Sequence, residues 1–281
     1  MDKPPDFLTT RVHKVDLERG ISGLCVGYEM GEWRMEQLVE NTMEWLPEFS
    51  LKQSELEKMS HSNSVNFIRR AARAVYNTEK FKNRGEFGEL FLHIAVRQVF
   101  NSLPAISKIY YKDSENDTVK GFDAVHVVGP PGELELWIGE TKFYTSITDA
   151  IRDVAAEIIA HTQIDYLRTE FIAITNKIDE NWEHADELKK LLDSNISLDD
   201  IFKRTCIPVL LTYDSSVINS HTVCDEQYRI EFEREIMFNF DRFVSKNLPG
   251  EIRIHLFLLP LKQKEELVTL LDTKLKIWQQ L

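Results

Sequence analysis

Cysteine is scarce in this chain of 281 residues, which contains only Cys25, Cys206 and Cys224. Three widely separated thiols predict neither a disulfide framework nor a zinc site, because both need paired or clustered cysteines. Residues 1–6 lack the basic and apolar pattern of a secretory signal, and no apolar run is long enough to span a membrane. We therefore expect a protein of the reducing cytoplasm that has no membrane partner.

Basic residues are also in deficit. The chain has 34 Lys and Arg against 46 Asp and Glu, a net charge of −12. Phosphate contacts dominate the affinity of proteins for nucleic acid, so this balance excludes an efficient stand-alone DNA binder unless a local basic groove exists. One stretch collects basic side chains, namely Arg69, Arg70, Arg73, Lys80, Lys82 and Arg84. Taken alone, such a cluster is more typical of a solvated helix face.

Several enzyme signatures are missing as well. The histidines have no HExxH or CxxC…H spacing, and there is neither a Gly-x-Ser-x-Gly elbow nor a Gly-x-x-x-x-Gly-Lys phosphate loop. These absences argue against a zinc enzyme, a serine hydrolase of that type and a P-loop ATPase. What remains is an ordinary globular composition, 43% hydrophobic and 28% charged, which can build a sizeable core.

Apolar spacing divides the chain into a mostly helical N-terminal region, residues 1–80, and a core with a C-terminal extension, residues 81–281. In the first region we predict a strand at 21–28, a helix at 32–46 that Pro47 ends, and a helix at 65–75. In the core we predict a helix at 85–101, strands at 107–112, 121–128 and 133–142, a helix from 145 or 146 to 162, and a strand at 206–213. Helical pieces at 165–203, a helix at 227–244, a strand at 252–258 and a terminal helix at 262–281 follow. This α/β order, αβββαβ with C-terminal helices, resembles a restriction-endonuclease-like core.

Two of these strands form a predicted β-hairpin around a Gly/Pro cluster. Side chains alternate faces along a strand, so every second residue of each arm shares a face. With the turn centred on Pro131-Gly132, Val127 lies opposite Leu136 and Val125 lies opposite Ile138. The hairpin therefore has one continuous apolar face.

Three charged side chains continue that apolar face. Asp123 falls opposite Glu140, and Lys142 projects beside them. Two carboxylates this close repel each other unless a cation lies between them, and Mg²⁺ prefers such oxygen ligands. Lys142 is then placed to orient a water or to stabilise charge on a phosphate. The alternative is a structural Asp–Lys ion pair with no chemistry.

Asp123 followed by Glu140-Thr141-Lys142 resembles the PD-(D/E)xK nuclease signature, with Phe122 in place of the usual proline. The resemblance implies cleavage of phosphodiester bonds with Mg²⁺ or Mn²⁺. Asp123 and Glu140 would be the metal ligands, the carbonyl of Thr141 a further one, and Lys142 the third catalytic residue.

A helix before the first core strand often supplies another acidic ligand in such nucleases. Glu89, beside the apolar stripe of the helix at 85–101, is the first candidate, and Glu86 is the second. Glu86 also completes a capping box if Asn83 is the N-cap, which is its favoured interpretation. For Glu89 the alternative is a solvated helix glutamate.

The runs at residues 84–90, 121–123 and 139–142 are similar to the nuclease subunit of the Hachiman antiphage defence system, most specifically over 84–145. That resemblance implies a nuclease that works on DNA with a helicase subunit, and the acidic net charge agrees with a subunit held by a partner. The alternative is a catalytically inactive adaptor of the same fold that docks on a motor protein.

Three residues near the charged side chains are not expected to take part in the chemistry. His126 has the parity opposite to that of Asp123, so we expect it on the other face of the sheet. Trp137 and Phe143 flank the site, and core packing is favoured over base stacking for both.

Overall fold

The computed structural model describes residues 3–75, 85–107 and 121–281. The strands are β1 (Thr9–Lys14), β2 (Gly20–Cys25), β3 (Tyr28–Glu29), β4 (Glu32–Trp33), β5 (Leu103–Ser107), β6 (Ala124–Val128), β7 (Glu135–Phe143), β8 (Thr205–Asp214) and β9 (Arg253–Leu261). The helices are α1 (Met35–Glu44), α2 (Leu46–Ser50), α3 (Gln53–Leu56), α4 (Ser64–Val75), α5 (Glu86–Phe100), α6 (Ile147–His161), α7 (Ile164–Lys177), α8 (Ala185–Leu191), α9 (Leu198–Lys203), α10 (Ser216–Ser220), α11 (Glu226–Val244) and α12 (Lys264–Gln279). The predicted α/β class is confirmed.

A seven-stranded mixed sheet organises these elements in the order β1-β2-β9-β8-β7-β6-β5. Strands β2, β9, β8 and β7 are parallel, and antiparallel pairs, β1-β2 at one edge and β7-β6-β5 at the other, extend them. Nearly every residue of β8 is buried, as expected of a central parallel strand covered on both faces. None of the helices in the described ranges has the length and apolar character needed to cross a bilayer.

The predicted αβββαβ order is present as α5, β5, β6, β7, α6 and β8. One boundary is wrong, because the sequence places the first core strand at residues 107–112, whereas β5 spans Leu103–Ser107. Pairing with β6, from Leu103 opposite Val127 to Ser107 opposite Ala124, sets this position. Residues 108–112 lie outside the described ranges.

The N-terminal region contains the predicted helices, but it also contributes strands to the large sheet. β2 confirms the strand predicted at 21–28, whereas β1 was not predicted, because only Val12 of this edge strand is buried. Pro47 does not end a helix as expected. It lies in the first turn of α2, where its missing N–H costs no helical hydrogen bond. The boundary predicted near residue 80 lies outside the described residues.

Two helical layers cover the sheet around β7. Side chains at even positions of β7 face α6, where Glu140 meets His161 and Lys142 meets Glu157. The odd positions face α5, because a Cβ added to Gly139 would lie 2.6 Å from Leu92. The position of a residue along β7, even or odd, therefore determines whether its side chain faces α6 or α5.

Most other helices match their sequence patterns. Ser146 is the N-cap of α6, and its hydroxyl accepts a hydrogen bond from the Asp149 N–H at 3.3 Å, which confirms one of the two predicted caps. The polar stretch at 165–203 forms α7, α8 and α9, as expected of helical pieces. The predicted elements at 227–244, 252–258 and 262–281 correspond to α11, β9 and α12.

Candidate functional site

The hairpin has the predicted register. Both expected cross-strand pairs are present, including Val125 opposite Ile138. The paired ladder ends where Ala124 lies opposite Gly139, and the Asp123 N–H also donates to the carbonyl of Gly139, at 2.8 Å. Asp123 thus lies beside β7 at the end of the apolar face, close enough to Glu140 for its charge to raise the pKa of that carboxyl, whereas direct opposition of the two residues stays a prediction.

The carboxylate of Asp123 is held by the neighbouring strand. Its Oδ2 accepts a hydrogen bond from the Thr141 N–H at 2.8 Å, and the residue is 8% exposed. The Thr141 hydroxyl donates to the carbonyl of Leu210 at 3.2 Å, which ties this point of β7 to β8. The backbone of β7 thus fixes the Asp123 side chain beside Glu140.

Glu140 is almost completely buried, with 1% of its surface exposed, and Nδ1 of His161 donates a hydrogen bond to its Oε1. Burial raises the pKa of the Glu140 carboxyl to about 7; the charges of Asp123 and Glu157 add to this rise, and the bond from His161 opposes it. Burial lowers the pKa of His161, but Glu140 and the other two carboxylates outweigh it, so the net pKa is raised. The pair therefore retains a proton into the neutral range.

Lys142 forms an ion pair with Glu157 of α6. The lysine side chain is 12% exposed and that of Glu157 is 40% exposed, so the pair lies at the edge of the buried region. Lys142 thus projects from the same face of β7 as Glu140, the face that α6 covers.

Two aromatic rings enclose His161. Tyr166 stacks on it with ring centroids 4.3 Å apart and planes 9° apart, and Phe122 meets it edge-on at 5.5 Å. Phe122 occupies the motif position that usually holds proline, and here it contacts the partner of Glu140. The sequence analysis did not identify His161 or Glu157, although their four-residue spacing on a predicted helix was a usable signal.

Glu86 and Glu89 are each 8% exposed, so Glu89 is not a solvated helix glutamate. Gly85, rather than Asn83, is the N-cap of α5, and Asn83 lies outside the described residues. Helix α5 covers the face opposite to that of Glu140. A metal-binding role for Glu89 stays a prediction, and the choice between it and Glu86 stays open.

The donor set suits a partly hydrated cation. Within the described ranges, no group of three or more His, Cys, Asp or Glu side chains is arranged to hold a metal ion. Mg²⁺, however, commonly keeps several waters and uses only one or two carboxylates. The buried, mutually repelling carboxylates of Asp123 and Glu140 fit that chemistry.

The neighbouring residues behave as the parity argument expects. His126 lies on the α5 side of the sheet, with its ring 5.0 Å from that of His93 and its Nδ1 2.9 Å from the Ser102 hydroxyl. Burial lowers the pKa of His126 well below its usual value. Trp137 and Phe143 are 4% and 6% exposed, so core packing is confirmed for both.

The basic cluster is partly engaged inside the chain. Arg70 forms an ion pair with Glu55, and Nε of Arg73 donates to the carbonyl of Gln279 at 3.0 Å. Three further members, Lys80, Lys82 and Arg84, lie outside the described residues. The two partnered arginines are therefore less available to phosphates than their sequence positions indicate.

Comparison with known proteins gives this site a context. The family model described as HamA matches residues 5–275. Over 262 residues the chain is 26% identical to Anti-bacteriophage protein A of Escherichia coli (strain K12), an alignment that covers 89% of this chain and 46% of that protein. The chain thus spans about half the length of this relative. With the family match covering β6, β7, α5 and α6, the chain belongs to the HamA family of Hachiman antiphage defence proteins.

Proposed function

We propose that this chain is the metal-dependent nuclease subunit of its antiphage defence system and that it cleaves phosphodiester bonds in DNA. Family membership supports the defence role. The observation that supports the proposed chemistry is the hydrogen bond from the Thr141 N–H to the Asp123 carboxylate, which holds Asp123 next to the buried Glu140 on the face of β7 that also carries Lys142. A charged group on such a face costs several kcal/mol unless it is paired or binds a ligand.

In this proposal Asp123 and Glu140 hold Mg²⁺ or Mn²⁺, with the Thr141 carbonyl and Glu89 as further ligands. An ion held by these residues would supply polarisation of the scissile phosphate and a lower pKa for the attacking water. Lys142 orients that water or stabilises the charge that develops on the phosphate. The superfamily implied by this residue pattern is PD-(D/E)xK.

The proposal includes a helicase subunit as partner and the cytoplasm as location. A net charge of −12 repels DNA at long range, and two arginines of the basic cluster already have partners within the chain. A partner with a basic channel would supply the missing attraction and present the DNA to the site. The three free cysteines agree with a reducing compartment.

One observation favours a second candidate, the inactive adaptor that docks on a motor protein. Glu140 and Lys142 each have a partner on α6, so two of the three charged side chains of the hairpin are paired within the fold. Metal binding separates the candidates, because the nuclease must bind Mn²⁺ through Glu140 and an adaptor need not.

Joint replacement of Glu140 and Lys142 by alanine tests the nuclease. We expect the loss of a metal ligand and of the water-orienting cation to reduce cleavage of supercoiled plasmid with Mg²⁺ by about 100-fold or more. Circular dichroism should show an intact fold, because the double substitution removes one negative and one positive charge and leaves the net charge of the site unchanged. The matched control is Glu40→Ala with Lys274→Ala, another Glu–Lys pair, which should cleave normally. Wild-type rates in the first double variant would refute the assignment.

A further inference from the structure

We propose that α6 supplies the second half of the site, with His161 positioning the carboxylate of Glu140 for metal binding and Glu157 positioning the ammonium group of Lys142 for catalysis. This inference rests on the proposed nuclease function. It assigns a task to two residues outside the hairpin motif, each of which acts through a motif residue.

The spacing of the two elements makes the arrangement possible. Glu157 and His161 are four residues apart on a helix, so they lie on one face and about 6 Å apart along the axis. Glu140 and Lys142 are two residues apart on a strand, so they share a face and lie about 6.6 Å apart. Because these two spacings match, each of the two helix side chains can contact one strand side chain, His161 with Glu140 and Glu157 with Lys142.

His161 is held more firmly than an ion pair alone requires. Tyr166 stacks on one face of the ring, Phe122 packs against it edge-on, and the histidine side chain is 19% exposed. Phe122 directly precedes Asp123, so the segment that presents one carboxylate also fixes the partner of the other. Side chains that orient a metal ligand in this way commonly change metal affinity when they are lost.

A purely structural role for these pairs makes a different prediction. A buried ion pair often contributes little net stability. Removing only one of its partners, however, leaves the other charge uncompensated and destabilises the fold. A structural pair would therefore change the unfolding temperature of the protein without changing the Mn²⁺ affinity of the molecules that are folded. Positioning requires the affinity or the catalytic rate itself to change.

The His161 experiment measures Mn²⁺ binding by calorimetry on the full chain in complex with its co-purifying partner. We expect His161→Ala to weaken Mn²⁺ affinity by about 10–100-fold, and His161→Gln to restore most of it, because the amide still donates a hydrogen bond. The matched control is His221→Ala, which removes another histidine–glutamate pair, 3.0 Å from Glu231, and should leave the affinity unchanged. Folded His161→Ala with wild-type affinity would overturn the assignment. If the alanine variant unfolds, His161→Phe, which keeps an aromatic ring but has no hydrogen-bond donor, gives the same test.

The Glu157 experiment separates the two halves. Because Lys142 is not a metal ligand, we expect Glu157→Ala to lower kcat by about 10-fold or more while Mn²⁺ affinity stays within about twofold of wild type. Glu40→Ala is the control, since it removes an exposed partner of Lys274. An unchanged kcat in folded Glu157→Ala would refute its positioning role.

Failure of the inference is distinguishable from failure of the proposed function. If the wild-type complex binds no Mn²⁺, or if Glu140→Ala binds it as well as the wild type, the nuclease proposal itself is wrong. If Glu140→Ala loses Mn²⁺ while His161→Ala retains it fully, the nuclease proposal stands and only the role of His161 is refuted.

Discussion

Glu48 is a partly buried carboxylate, 17% exposed, that links the N-terminal region to the core helix α5. Nε of Arg97 donates to its Oε1 at 2.6 Å, and Nε2 of His93 lies 3.1 Å from the same oxygen. Burial by itself raises the pKa of Glu48, but the contacts with His93 and Arg97 outweigh it and lower the pKa to about 2. Ionised Glu48 therefore stabilises the folded state.

This depressed pKa predicts a specific acid sensitivity. The stabilisation by Glu48 is complete above its unfolded pKa of about 4.5 and is lost as pH falls toward 2, by about 3 kcal/mol in all. Glu48→Gln lacks this term, so its deficit in unfolding free energy should be largest at neutral pH and shrink below pH 4.5. Urea unfolding at several pH values measures this. A deficit in unfolding free energy that does not change with pH would contradict the prediction. The control Glu40→Gln, at an exposed site, should show no pH-dependent deficit.

At the scale of elements, the approach of α5 to β7 depends on Gly88. A Cβ at this position would lie 2.9 Å from the Cβ of Phe143 and 3.2 Å from the hydroxyl of Thr141. The Cβ of Phe143 cannot move without its backbone, so a larger residue must push the helix away from the strand. Gly88 thus fixes the distance between α5 and the strand that carries Glu140.

Replacing Gly88 by alanine should therefore destabilise the protein. Overpacking costs about 1–3 kcal/mol, which exceeds the gain of about 1 kcal/mol in helix propensity. We expect a net loss of up to about 2 kcal/mol in unfolding free energy and, for the proposed nuclease, slower DNA cleavage. Gly250→Ala, with no atom within 4 Å of the added Cβ, should stay within about 0.5 kcal/mol of wild type. A stabilised Gly88→Ala protein would show that α5 can move at little cost.

At the scale of the whole molecule, the N-terminal region and the C-terminal segment are parts of one sheet. β9 lies between β2 and β8, so residues from both ends of the chain pair directly with each other and with the core. A partner that docks on either segment therefore contacts an integral part of the fold that carries the site, rather than an appended domain.

The acidic net charge predicts weak DNA binding by the isolated chain. Repulsion lowers both encounter rate and affinity, so gel shifts with linear duplex DNA at physiological salt should show little complex. If the proposed helicase partner supplies the missing attraction, adding it should increase DNA retention by at least 10-fold. Tight binding by the chain alone, with no gain from the partner, would rule out the partner model and favour a local basic groove.

The sequence by itself determined the elements and the register of the hairpin. Strand parity and turn chemistry are local, so the opposition of Val125 and Ile138 followed from residues less than twenty positions apart. The same reasoning placed α5, α6, β8 and α11 from the apolar pattern within each segment, and it identified Ser146 as the cap of α6 but not Gly85 as the cap of α5.

Tertiary structure alone decided which side chains complete the charged cluster. His161 and Glu157 meet the hairpin because α6 packs across the even-numbered face of β7, and helix periodicity does not specify which strand residues a helix will cover. The addition of β1 and β2 beside β9 likewise depends on pairing between residues more than two hundred positions apart. Such contacts arise from the packing of whole elements, which no local sequence pattern encodes.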